Sequence, residues 1–204
     1  MSAVAVVAIW VAYLAGWTAL RGALTALPTP PWWAILLWCV VAVPSLVQLL
    51  WAPGLLAWGQ RDNAAVSEGQ WRRLATSIVL QDGGWGGTVF NLVMLAVTLL
   101  LVAQVWRPGA TVAVFVIGGV ACNVLTVLLS GEPGAGNSMA TMCLLSAAAV
   151  TVVRGSPPAR RTLVPVILVA VAAVVLLVGA DEHGPALALG LLVGLLVSPR
   201  IVRS

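Results

Sequence analysis

The sequence predicts an all-α polytopic membrane protein, and its composition and the length of its apolar runs carry that prediction. Of the 204 residues, 61% are hydrophobic and 8% are charged, and the mean hydropathy is +1.08. A soluble domain needs more polar surface than this. The apolar residues form runs of about 17 to 25 residues, the length that crosses a hydrocarbon core of about 30 Å. One helical bundle uses up the whole length.

Seven apolar runs predict the spans in order, at residues 3–20, 32–51, 86–106, 110–129, 138–153, 163–180 and 183–197. Pro44 predicts a kink in the second span, because a buried helix can re-satisfy one lost backbone bond. Tryptophans lie at span ends, as in the aromatic belt of a membrane interface: Trp32, Trp33, Trp51, Trp85 and Trp106. The first run has no cationic leader and is long for a signal peptide, so we expect it to remain as an anchor.

Charge in the loops predicts the orientation. Seven of the ten arginines share one face, at Arg21, Arg107, Arg154, Arg160, Arg161, Arg200 and Arg203. By the positive-inside rule this face is cytoplasmic, with the N-terminus outside and the C-terminus inside. The other face receives every acidic residue, Asp62, Glu68, Asp82, Glu132, Asp181 and Glu182, and the one histidine, His183. The exception is the long second loop, which holds Arg61, Arg72 and Arg73 and should fold on the membrane surface or dip into it.

The same composition excludes several function classes. The arginines are scattered or lie at span ends, so nothing indicates a nucleic-acid partner. The cysteines, Cys39, Cys122 and Cys143, lie inside apolar runs, where a thiol usually behaves as a small hydrophobe. We therefore expect no disulfide, no metal site and no cofactor.

Three polar residues, Asn91, Ser138 and His183, lie near the outer ends of spans that run in the same direction. Each precedes the first cytoplasmic arginine of its span by 16 or 17 residues, or about 24 to 26 Å at about 1.5 Å per residue. The three side chains should therefore lie at one depth, a few ångströms below the outer surface. Helices that share a direction can present them to one another.

This combination predicts acyl transfer. Histidine is the usual base that activates a serine hydroxyl, so Ser138 is the candidate nucleophile and His183 the candidate base. The loop 134–137 leads into a helix at Ser138, whose first N–H groups and dipole are available to a developing oxyanion. The amide of Asn91 is the natural second donor.

The surroundings of His183 add two expectations. Gly190 and Gly194 form a G-x-x-x-G strip that allows close helix packing, and Gly190 lies two turns below the histidine on the same face. Asp181 and Glu182 lie too close in sequence to His183 to orient its ring easily, so we expect a dyad and not a triad. Each polar residue alone also has an ordinary structural explanation: a helix N-cap for Ser138, a helix–helix hydrogen bond for Asn91 and a solvated loop for His183. The shared depth favours function.

These residues together resemble the rhomboid intramembrane serine proteases, over about the last 135 residues. Residues 71–77, with Trp71 and Arg72, are similar to the Trp-Arg signature of the family's first long loop. Residues 82–91 resemble the helix start where a His-x-x-x-Asn motif is usual. The other matches are to the Gly-x-Ser nucleophile and the His-x6-Gly-x3-Gly pattern, carried here by Gly136, Ser138, His183, Gly190 and Gly194.

The resemblance implies a rhomboid-like six-helix core at 32–204, with an extra N-terminal transmembrane helix and cytoplasmic loop at 1–31. It implies hydrolysis of transmembrane segments near the outer face, with a single-span membrane protein as substrate or client, the lipid bilayer as surroundings and no cofactor. Ser138 would be the nucleophile and His183 the general base. Asn91 and Ser138 would contribute to the oxyanion site, and the glycines, Trp71 and Arg72 would support it. We expect a multi-pass protein of the plasma membrane, the inner membrane of a bacterium, with the site facing outside.

Three departures from the family pattern leave other functions open. Gly87 replaces the histidine of His-x-x-x-Asn, Met139 replaces the glycine after the serine, and Pro185 follows closely after His183. Gly87 and Met139 favour a rhomboid-like pseudoprotease that binds transmembrane helices without cutting them. A third possibility is a small transporter or structural membrane protein in which the polar residues only pair helices. A Ser138–His183 distance near 3 Å would support the dyad, and a gap of several ångströms filled by Met139 would support the pseudoprotease.

Overall fold

The computed structural model describes residues 2–24, 28–129, 132–155 and 160–197. Seven long helices follow the seven apolar runs, with ends shifted by at most a few residues: α1 (Ala3–Gly22), α2 (Trp32–Leu50), α6 (Gly84–Val105), α7 (Pro108–Leu129), α8 (Ser138–Gly155), α9 (Arg160–Val178) and α10 (His183–Leu196). The long loop adds three short helices, α3 (Gly54–Gly59), α4 (Asn63–Ser67) and α5 (Arg73–Thr76), and a 3₁₀ turn at Ser77–Val79. The predicted all-α class is confirmed.

Five of the long helices, α1, α2, α6, α7 and α8, are long and apolar enough to cross a membrane, while α9 and α10 are shorter apolar helices. The chain is thus a multi-pass membrane protein. The count of seven spans and the outward N-terminus stay predictions. Arg200 and Arg203, on which part of the charge asymmetry rests, lie outside the described residues.

Helix α8 forms the centre of the bundle. All its residues from Met139 to Val152 are buried, and α1, α6, α7, α9 and α10 all pack against it. Its residues include Ala, Ser and Thr and form the least apolar of the five candidate spans. Because a central helix meets other helices rather than lipid tails, small and hydroxyl-bearing side chains serve it well. The surrounding helices carry the large exposed apolar residues that a bilayer would cover.

Helix α10 packs closely on α8 through the predicted glycine strip. A Cβ built on Gly190 would clash with Ser146 and with the carbonyl of Cys143, and one on Gly194 would lie 2.6 Å from the oxygen of Ala147. The Ser146 hydroxyl lies 2.8 Å from the carbonyl oxygen of Met142 in its own helix and 3.2 Å from that of Leu187 on α10. This contact sets the distance between the first residues of the two helices.

Helix α1 is packed into the same bundle, against α9, α8 and α6. Trp17 Nε1 donates to Thr98 Oγ1 of α6 at 3.0 Å. A Cβ on Gly16 would lie 2.7 Å from Cγ of Leu145 on α8. The predicted division into an extra helix at 1–31 and a six-helix domain at 32–204 stays a prediction.

The packing of α10 makes the first testable prediction. Gly190→Ala should lower the free energy of unfolding by about 1–3 kcal/mol, because the added methyl overpacks the contact with α8. Gly109→Ala is the matched control, since a Cβ there meets nothing within 4 Å. Thermal unfolding in detergent, followed by tryptophan fluorescence, measures both variants. Equal melting temperatures for the two would contradict the predicted contact.

Candidate active site

Ser138 and His183 lie in hydrogen-bonding contact. Each is the first residue of its helix, α8 and α10 respectively, and both are partly buried. The distance from Ser138 Oγ to His183 Nε2 is 3.0 Å. This is the separation expected for a serine paired with its base.

Asp181 occupies the other side of the imidazole ring, which corrects the expectation that nothing would orient His183. Its Oδ1 accepts from the backbone N–H of His183 at 3.0 Å and lies 2.6 Å from His183 Nδ1. The backbone at Ala180 has a φ of 53°, and Asp181 follows it in the turn before α10. A carboxylate that binds the N–H two residues ahead is a common turn motif, and here the same oxygen also reaches the ring of that residue.

The carboxylate of Asp181 is suited to hold the ring in one tautomer. Burial opposes its ionisation, but the hydrogen bonds from the ring and backbone of His183, and the attraction of that ring when it is protonated, outweigh burial and lower the pKa of Asp181. Because the usual pKa is about 3.9, Asp181 is ionised at neutral pH. An ionised carboxylate accepts the proton on Nδ1 and leaves Nε2 free to accept from the serine hydroxyl. The Ser138 hydroxyl, the His183 imidazole and the Asp181 carboxylate are therefore connected by two successive hydrogen bonds.

The side chains of Asn91 and Ser138 both lie close to Gly136. An ideal Cβ on Gly136 would lie 3.2 Å from Asn91 Nδ2 and 3.8 Å from Ser138 Oγ, so the amide and the hydroxyl border the same small space. Asn91 Nδ2 donates to Gln81 Oε1 at 2.7 Å. A side-chain amide has two N–H donors, and Gln81 takes one of them.

A buried network of polar side chains holds Asn91 in place, and the sequence analysis missed it. Gln81 Nε2 donates to Asn137 Oδ1 at 2.8 Å, and Asn137 Nδ2 donates to the carbonyl of Asn91 at 3.1 Å. Gln81 and Gln48 of α2 exchange two hydrogen bonds, at 2.8 and 3.0 Å. The available signal was Gln48, an amide near the outer end of a predicted span, because polar side chains at that depth need partners.

Arg61 was also missed, although it joins the long loop to three other segments around the site. Its side chain is buried, and Nη1 donates to Asn123 Oδ1 of α7 at 2.9 Å. Nη2 forms a 2.6 Å ion pair with Glu182, the residue before His183. Its backbone pairs with Gly134, in the loop before Ser138, at 2.8 and 3.0 Å. The signal was an arginine on the acidic face, against the charge bias.

The structure also locates the other residues that the sequence analysis singled out. Trp71 is 66% exposed, and Arg72 is exposed with its Cζ 4.5 Å above the ring of Trp58, so the structure does not bring this pair to the serine. Met139 is buried, and its sulfur accepts from Thr126 of α7 at 3.5 Å. Because Ser138 and His183 are in contact, Met139 does not separate them. A Cβ at Gly87 would meet nothing within 4 Å.

The candidate site borders a cavity of about 450 Å³. Ser138, His183, Asn91 and Gly136 line one part of it, and apolar side chains from α1, α6 and α8 line much of the remainder. The charged residues Arg61, Asp82 and Glu182 also border it. A polar cluster in a mainly apolar pocket is the usual form of a ligand or active site.

Comparison with known proteins identifies the family. A match to a family model places this all-α multi-pass bundle among the rhomboid-type intramembrane proteases and related proteins. The family model described as the Rhomboid domain matches residues 68–204, and the chain belongs to the rhomboid family. The resemblance found in the motifs is thereby confirmed. No curated protein and no solved structure matched the chain. The matched part begins after α4, so α1, α2 and Arg61 precede it.

Arg61 provides a prediction about the stability of the site. Arg61→Met should lower the free energy of unfolding by about 2 kcal/mol or more, because buried Asn123 loses a charged donor. The ion pair adds little to this value, because the Glu182 side chain is 40% exposed and water can replace the guanidinium.

Arg72→Met is the matched control, since Arg72 is an exposed arginine of the same loop. Melting temperatures in detergent measure the two variants and wild type. A loss of stability no greater for Arg61→Met than for Arg72→Met would show that the buried guanidinium does not hold these segments together.

Proposed function

We propose that this chain is an intramembrane serine protease that hydrolyses a peptide bond in a transmembrane segment of a single-span membrane protein. The observation that carries the proposal is the 3.0 Å contact between Ser138 and His183, continued by Asp181 at 2.6 Å. A histidine that is oriented by a carboxylate and paired with a serine is the constellation that performs acyl transfer on several unrelated folds. Membership of the rhomboid family supports the same chemistry.

The reaction would proceed in two halves. Ser138 Oγ attacks the carbonyl carbon while His183 Nε2 takes the hydroxyl proton, and the tetrahedral intermediate collapses when the imidazolium returns that proton to the leaving amine. A water then attacks the acyl-serine, with His183 again acting as base, and releases the new carboxyl end. Asp181 acts as a positioning residue, because it touches only the histidine.

The oxyanion would be stabilised by the Asn91 amide and by the first-turn N–H groups of α8, which have no intrahelical acceptor. Gly87 stands where the family has a histidine, so one expected donor is missing. The loss of one such donor lowers the rate by about 10²- to 10³-fold in soluble hydrolases. We therefore propose a slow enzyme.

The position of the site would determine which substrates it reaches. If the arginine-rich face is cytoplasmic, the cavity opens near the outer surface of the plasma membrane, which we expect to be a bacterial inner membrane. Peptide bonds near the outer end of a single span would then be the ones that Ser138 attacks. No metal or cofactor takes part in the proposed steps.

Cleavage of single-span proteins tests the proposal directly. Purified protein in lipid vesicles should cut at least one member of a panel of single-span substrates, and Ser138→Ala should abolish that cut. Ser67→Ala is the matched control, because Ser67 is exposed on the long loop and should retain full activity. If wild type cuts no substrate but co-purifies with a client whose binding Ser138→Ala leaves unchanged, the protein is a pseudoprotease and the proposal is wrong.

The role of Asp181 is tested by Asp181→Asn. The cleavage rate should fall by about 10² to 10⁴, since an amide can hold the ring in the wrong tautomer. Asp181→Glu should restore part of the rate. An unchanged cleavage rate with a lower melting temperature would mean that Asp181 stabilises only the turn before α10.

A further inference from the structure

We propose that α1, which lies outside the part of the chain that matches the family, forms one wall of a substrate subsite, and that Trp10 and Tyr13 select the side chain that enters it. The inference deepens the proposed function, because its ligand is the transmembrane segment that Ser138 would cut. Val6, Ile9, Trp10 and Tyr13 of α1 line the cavity that also contains Ser138 and His183. The catalytic cavity is therefore built jointly by the rhomboid domain and a helix outside the matched region.

The packing of α1 makes it a fixed wall of the cavity and not a removable plug. Ala12, Tyr13, Ala19 and Leu20 are fully buried. Gly16 allows α1 to approach α8 so closely that a methyl group would clash with Leu145. Displacing α1 would expose this contact and also break the hydrogen bond between Trp17 and Thr98. A substrate must therefore enter beside α1 and meet its inner face.

The inner face of α1 is aromatic and held in a defined geometry. The rings of Trp10 and Phe90 meet edge to face, with centroids 5.5 Å apart and planes at 77°. Tyr13 meets the same Phe90 ring at 6.2 Å and 82°. Aromatic pairs favour this arrangement, so each ring holds the next in place. A side chain in the cavity would contact a rigid aromatic surface.

Tyr13 also contributes a polar group that has no partner in the described part of the chain. The residue is fully buried, and its hydroxyl makes no hydrogen bond there. Buried hydroxyl groups are normally bonded, so one that lacks a partner and lines a cavity points to a ligand. A transmembrane segment must unwind locally before a serine can reach its backbone, and unwinding frees carbonyl groups that need a donor in an apolar environment. Tyr13 can supply that donor.

The size of the cavity limits what it accepts. A volume of about 450 Å³ is far below the space of a whole transmembrane helix, which is on the order of 2,000 Å³ for a cylinder about 10 Å wide and 30 Å long. Only a few unwound residues can enter. Because the rings of Trp10 and Tyr13 occupy one side of the cavity, a side chain that faces α1 has less room the larger it is.

Binding of two model peptides tests this inference without requiring cleavage. Both are leucine-rich single-span peptides, and they differ only near the outer end, where one carries Ala-Gly-Ala-Gly and the other Phe-Gly-Phe-Gly. Dissociation constants are measured by fluorescence in nanodiscs, on the full-length chain with Ser138→Ala as background. The background protein should bind the alanine peptide about tenfold more tightly.

Substitutions in α1 should change these constants in two different ways. Trp10→Ala should remove most of the tenfold preference, because it opens space for the phenylalanine ring. Tyr13→Phe should raise the dissociation constants of both peptides by about three- to tenfold, the effect of one lost hydrogen bond. Leu14→Ala is the matched control, since Leu14 of α1 is 54% exposed, and it should change neither constant.

The inference is overturned if the background protein binds the two peptides equally, or if Trp10→Ala and Leu14→Ala leave the same preference. Failure of the proposed protease gives a different result. In that case wild type cuts neither peptide while the preference still depends on Trp10. Cleavage of both peptides with a binding preference independent of Trp10 would instead support the proposed protease and contradict the proposed subsite.

Discussion

The close packing of α10 on α8 is the constraint on which the candidate site depends. In a bilayer, apolar burial gives little drive for helices to associate, so contact relies on shape and on small residues. Gly190 and Gly194 bring the two backbones together, and each helix begins with one member of the Ser138–His183 pair. Two helix starts held at one level place a serine hydroxyl beside an imidazole, which is the contact that the proposed function requires.

The polar groups around that pair are held by hydrogen bonds in an otherwise apolar chain. Unpaired polar groups are costly inside an apolar bundle, so networks such as Gln81–Asn137–Asn91 and the buried Arg61 rigidify the end of the bundle that holds the candidate site. Asp181 belongs to the same set of contacts, because one of its carboxylate oxygens binds both the backbone N–H of the turn and the imidazole ring of His183. Together these contacts hold the side chains in the orientations that the proposed acyl transfer needs, before any substrate binds.

Most of the fold and part of the site could be predicted from the sequence. Hydrophobic runs mark helices directly, and equal spacing from the arginines identified Ser138 and His183 as neighbours. What escaped prediction depends on tertiary structure. The reach of Asp181 follows from a turn with positive φ at Ala180, and the position of Arg61 follows from how a long loop folds over the bundle. No periodicity in α1 shows that Trp10 and Tyr13 face the cavity, because a helix that meets both lipid and protein is apolar all round.

Under the proposed function, the packing of α10 on α8 makes the Ser138 hydroxyl an activated nucleophile. The most direct test treats the reconstituted protein with a fluorophosphonate and locates the adduct by mass spectrometry of its peptides. We expect one phosphonylated residue, Ser138, and loss of that adduct in His183→Ala while the variant stays folded. An unmodified Ser138 in wild type, or equal modification in the variant without the histidine, would contradict it.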